Sequence, residues 1–202
     1  MRSGEKTEKK KAEKRSALLN AAFQLFTEQG FQKTSISDIA NQAEVAKGTF
    51  YLYFKDKYHI RTHLITGKAE QIFRQATDGI VFEDPDNVEE VTVLLCSRIL
   101  DILNENHHIV SFLSKNLSWG VFKKGIEDQT EKGSFDFQGM YHDLLNRSPI
   151  RYRDPEIMIF LIIELLGSTS YNSILYNDPV PMNELKPHLL DAIRGIIRSH
   201  TM

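Results

Sequence analysis

The sequence has little of what stapled, turn-rich or membrane-embedded proteins are built from. One cysteine, Cys96, stands alone in 202 residues. No internal disulfide can form, and a reducing compartment, the cytoplasm, is the expected setting. Only six prolines and eleven glycines occur, gathered at a few points, which argues against many short strands and for long uninterrupted helices. The first residues are charged where a secretory leader would be apolar. The longest apolar run, residues 157–163, is too short to cross a bilayer and ends at Glu164. A glycine-rich phosphate loop, a Gly-x-Ser-x-Gly elbow, a metal-ligand cluster and paired carboxylates are also missing. No catalysis, no cofactor and no resident metal is therefore expected.

What is present is an ordinary balance, 41% hydrophobic and 26% charged, enough for a sizeable core. The net charge of −2 hides an asymmetry. Residues 1–60 hold 11 Lys and Arg against 7 Asp and Glu, whereas the remainder holds 14 against 20. A basic head on an acidic body suggests that the head meets a polyanion.

The periodicity reads as all-α, about nine helices. Residues 1–10 lack apolar side chains and are expected to be a disordered basic tail. Leu18, Ala22 and Leu25 recur at helical spacing until Gly30 ends that helix. Ser35 with Asp38 forms a capping box over a short second helix. A third helix holds residues 49–54, and Asp56 caps a fourth running over residues 57–79. Asn87 with Glu90 opens another helix. Asp154-Pro155-Glu156 is a helix start with Asp as cap and Pro in the first turn. Asn183 opens the last helix, with Leu185, Leu189, Ile193 and Ile196 as its stripe. Residues 120–134 show no clear period.

Two short helices joined by a tight turn bury too little to fold alone. They make sense when a third helix supports them and the second meets a partner, as in a helix-turn-helix that reads the major groove. The motif spans about residues 35–54 within a head of residues 11–56, followed by a body of residues 57–202. Lys47 and Lys57 suit phosphates, and Thr34, Ser35, Ser37 and Thr49 offer hydroxyls. Tyr51 and Tyr53 offer rigid arms ending in a donor, beside Leu52, and Gly48 permits close backbone approach. Phe50 and Phe54, four apart, are read as core.

The run Thr34-Ser35-Ile36-Ser37-Asp38-Ile39-Ala40, then residues 43–57, with residues 21–31 upstream, resembles the DNA-binding signature of the TetR family. That resemblance implies a homodimeric regulator of transcription, commonly a repressor. Such a protein binds a palindromic double-stranded operator and leaves it when a small-molecule effector enters the C-terminal body. Departures from the family pattern are Glu44 where glycine is usual in the turn, Ala46 where a serine usually caps the recognition helix, and Tyr53 where histidine is frequent.

Other residues admit competing readings. His59 and His63 share a helix face at metal-compatible spacing without a third ligand. Cys96 fits a buried inert thiol better than a redox sensor. Glu164, interrupting an apolar run, needs a partner if buried: a ligand, a residue across a dimer, or an arginine of its own chain. Phe112, Trp119, Phe122, Phe135, Phe137 and Tyr141 fit either a core or an apolar cavity. The expected ligand site comprises Phe112, Trp119, Tyr141 and Glu164, in a cavity between residues 91–119 and 135–166. The last two helices are expected to form the dimer, with Gly167, Ser168, Thr169 and Ser170 allowing close approach and Leu189, Ile193 and Ile196 supplying apolar contact.

Overall fold

The structure, a computed structural model, describes residues 3–82, 84, 86–116 and 137–202. Among the described residues it is all-α, with nine helices and one antiparallel bridge between Tyr152 and Thr201. In chain order these are α1 (Ser3–Glu28), α2 (Ile36–Gln42), α3 (Lys47–Tyr51), α4 (Lys57–Thr77), α5 (Val88–Glu105), α6 (His107–Asn116), α7 (Phe137–Arg147), α8 (Pro155–Tyr176) and α9 (Met182–Ser199).

The lysine-rich start corrects the expectation of disorder, because α1 is helical from Ser3. Lys and Glu are strong helix formers. Once the packed half of α1 is nucleated, each added turn costs little, and Lys11 pairs with Glu8 at 2.9 Å along the way. The extension is solvent-exposed throughout residues 6–14.

Caps set several of the other helix starts. The Asp38 amide donates to Ser35 Oγ at 3.1 Å, and the Ser35 amide donates to Asp38 Oδ2 at 2.8 Å. These bonds hold the Asp38 carboxyl below its ordinary value, the backbone bond from Ser35 first. Asp56 accepts from the His59 amide at 2.7 Å, and Asn87 accepts from the Glu90 amide at 3.1 Å. Asp154 departs from its expected role. It occupies the cap position in a left-handed conformation (φ 45°) and makes no side-chain cap bond. Pro155 fixes the first helical φ in its stead.

The chain divides into two compact units, Met1–Ile65 and Thr66–Met202, and the division falls within α4. In the first, Leu18, Ala22 and Phe26 of α1 are buried, as are Ile39, Phe50, Phe54, Ile60 and Leu64, and α2 packs on both α1 and α3. In the second, α9 packs on α5 and α8, and α6 packs on α8. Two ion pairs fasten α9 along α5 in antiparallel register: Lys186 to Asp101 at 2.6 Å, and Arg198 to both oxygens of Glu89 at 2.6 and 2.8 Å. Leu189 and Ile193, expected at a dimer interface, are instead buried within their own chain against this core. α8 is long and apolar enough to cross a membrane by length and composition. It buries Met158, Ile162, Leu166 and Ile174 and leaves Ile157, Leu161 and Tyr176 exposed.

Candidate nucleic-acid interface and cavity

α3 is short and its N-cap is Ala46, which makes no side-chain cap bond. It is therefore held by what lies beneath it. Phe50 and Phe54 are 0% and 1% exposed, and their rings meet at 5.7 Å. The turn ahead of it bends at Glu44, whose φ of 54° is left-handed, the conformation that glycine adopts freely and other residues at a cost. With that anchor, Lys47, Gly48, Tyr51 and Leu52 face outward, Leu52 at 79% exposure. Thr49 and Tyr53 are half-buried, Ser35 is exposed and Ser37 is half-buried.

A Cβ built on Gly48 would meet nothing within 4 Å. No internal packing demands glycine there, although glycine weakens a helix.

Two residues expected to contact DNA, the buried Thr34 and the half-buried Lys57, are bonded to carbonyls of their own chain. Thr34 is 1% exposed, and its hydroxyl donates toward the Gly30 carbonyl at 2.9 Å. Lys57 Nζ donates to the carbonyls of Phe31 at 2.7 Å and Thr34 at 2.8 Å, and lies 4.4 Å from the Phe31 ring centroid. It closes the α1–α2 link by satisfying carbonyls that no helix bond reaches. Arg61 covers the same ring, also at 4.4 Å.

The histidine pair belongs to the same head. The Lys55 amide donates to His59 Nδ1 at 3.1 Å, and His59 Nε2 lies 3.1 Å from His63 Nε2. A neutral His59 that accepts at Nδ1 carries its proton on Nε2, the atom that faces His63 Nε2. Among the described residues no cluster of three or more His, Cys, Asp or Glu assembles.

In the second unit a cavity of about 170 Å³ lies among α4, α5, α6, α7 and α8. Ala69, Ile72 and Phe73 of α4 form one wall, Leu95, Cys96 and Ile99 of α5 another, with Tyr141 of α7 and Ile162 and Leu166 of α8 opposite. Of the expected ligand residues, Tyr141 lines it. Its hydroxyl donates to the Pro155 carbonyl at 2.8 Å, and burial pushes its pKa up. Phe112 is buried outside the wall. Glu164 is solvent-exposed and does not reach the cavity, because α8 turns Ile162, Ile163 and Leu166 inward and Glu164 outward. Trp119, Phe122 and Phe135 lie outside the described residues. Most of the wall comes from the expected segments 91–119 and 135–166; the α4 residues were missed, although the apolar stripe of α4 was an available signal.

The comparisons agree with this arrangement. The family described as bacterial regulatory proteins, tetR family, matches residues 18–63. The HTH-type transcriptional regulator YerO of Bacillus subtilis (strain 168) is 25% identical over 94% of this chain and 78% of its own length. The HTH-type transcriptional repressor KstR2 of Mycobacterium tuberculosis (strain H37Rv) is 23% identical, over 82% of each. Among solved structures, the transcriptional regulator FadR of Bacillus subtilis in complex with stearoyl-CoA superposes with a TM-score of 0.65 at 19% identity, covering 90% of this chain and 98% of that one. The turn at Glu44 and the outward face of α3 both lie within residues 18–63, the segment that is similar to the bacterial regulatory proteins of the tetR family.

Proposed function

We propose that the chain is a homodimeric repressor that binds an inverted-repeat operator and leaves it when a small apolar molecule occupies the cavity of its second unit. The observation that carries this is the outward set Lys47, Gly48, Tyr51 and Leu52 on a helix anchored by Phe50 and Phe54. Ser35, Ser37, Thr49 and Tyr53 flank that set as further contacts with the sugar-phosphate backbone or base edges. Repression is supported by the likeness to KstR2, whose name says repressor.

Dimerisation is supported by α8, whose outer face presents Ile157, Leu161 and Tyr176 uncovered in the single chain. Gly167 and Ser168 on that helix, and Ala192 and Gly195 on α9, are exposed and small enough for helices to approach closely. Effector release is supported by the apolar cavity, by α4 running unbroken from the head into its wall, and by the likeness to FadR, solved with an acyl-CoA. A ligand acts only through unequal affinity for two states. One that fits the cavity better in the released form moves the two recognition helices off the spacing set by the groove.

The test is selection of bound sequences from random duplex DNA, then titration by fluorescence anisotropy. The expected result is an inverted repeat bound with strong salt dependence. Recovery of no preferred sequence would overturn the reading.

A further inference from the structure

The size and chemistry of the cavity wall narrow the class of effector. Every described wall residue is uncharged, and the wall is overwhelmingly aliphatic, with Ile72, Leu95, Ile99, Ile162 and Leu166 among its members. Only three carry a polar side-chain atom. Tyr141 gives its hydroxyl to the Pro155 carbonyl. Cys96 keeps its proton, since burial pushes the thiol up to about 12. The Thr92 hydroxyl, one turn before Cys96, enters none of the described hydrogen bonds.

A carboxylate, phosphate or ammonium inside such a wall would lose its hydration with nothing to replace it. An apolar lining of this kind favours a hydrocarbon guest, whose burial removes apolar surface from water. The cavity volume, about 170 Å³, is close to that of an engineered cavity of about 150 Å³ that holds benzene, so a chain of about six to eight carbons fills it.

We propose that the cavity takes a short, uncharged aliphatic molecule of that length, whose one neutral polar group hydrogen-bonds to the Thr92 hydroxyl. This rests on the reading of the cavity as the effector site and adds the ligand's charge, length and anchor.

The experiment uses the full chain and n-alkan-1-ols from butanol to dodecanol, with alkylammonium ions, alkanoates and stearoyl-CoA as contrasts. Binding is followed by calorimetry and by the shift in Tm, and operator release by anisotropy. Each added methylene should tighten alcohol binding about fourfold, up to about octanol, with no gain beyond. Ions of equal length should bind about a hundredfold more weakly or worse. Ala69→Leu, which adds carbons to the α4 wall, should shorten the best chain by two or three carbons. Thr92→Val should weaken the alcohols about fivefold while leaving the methylene increment intact, which a merely misfolded body would not do.

Binding that ignores chain length, charged analogues that bind as tightly, tighter binding of stearoyl-CoA, or no binding at all would each overturn the proposal. If alcohols bind in the expected order but the operator stays occupied, the ligand class stands and the release mechanism proposed above falls.

Discussion

Lys47 and Lys57 carry the same charge, yet only the first is free to meet a polyanion. Lys47 is exposed on α3, while the Lys57 ammonium is held by two carbonyls at 2.7 and 2.8 Å. Lys47→Ala should therefore weaken binding to all operators alike and lower the slope of log K against log salt by about one. Lys57→Met should leave that slope unchanged and destabilise the head by roughly 1.5–3 kcal/mol, the range for a hydrogen-bonded charge. Urea unfolding and salt titration separate the two effects. Gly48 gives effects of opposite sign. Gly48→Ala should stabilise the head by about 0.5–1 kcal/mol, since alanine is the better helix former, and yet weaken operator binding. A variant that gains stability and keeps full affinity would show that no backbone approaches closely there.

At the scale of elements, the joint between α5 and α9 depends on a carboxylate. Hydrogen bonding from Arg198 holds the Glu89 carboxyl below its ordinary value, against a smaller opposing effect of burial. A value lowered by folding means that folding disfavours the proton. The stabilisation is complete above the ordinary glutamate range and is lost as pH falls through the lowered value. Between about pH 5 and 3, the Tm of the wild type should fall more steeply than that of Arg198→Met. Parallel curves would show that the pair is too well solvated to matter.

The capping box at Ser35 and the caps at Asp56 and Asn87 were legible in the sequence because a cap needs only residues three apart. Phe50 and Phe54 were legible because their spacing matches one helix face. Lys57 and Thr34 were not, since their partners lie on carbonyls that spacing does not locate. The stripe of α9 was read correctly as apolar, but an apolar face does not say which surface covers it, and Leu189 and Ile193 turned inward. Glu164 was placed inside a run of apolar neighbours whose average concealed that α8 has a wet side.

At the scale of the whole molecule, the proposed dimer rests on the uncovered side of α8. Leu161, 39% exposed, lies on that face, and Leu161→Glu should yield a monomer by sedimentation that still contains the cavity. Its affinity for a single half-site should match the wild type, while its affinity for the full inverted repeat should fall by orders of magnitude, because the second half-site no longer binds as part of the same particle. Half-site centres are expected one helical turn apart, about 34–36 Å, or a multiple of it.

A dimer formed through that face, as proposed, would make the regulator sensitive to its own abundance. Where chains are scarce enough to separate, a particle completed by a second copy forms in proportion to the square of the amount of chain. Halving the gene's output then leaves a quarter of the operator-competent particles, and derepression becomes a matter of dosage as well as of ligand. A strain expressing graded amounts of the protein would record this as a quadratic rise in repression at low expression, and as a linear rise once every chain has found its mate.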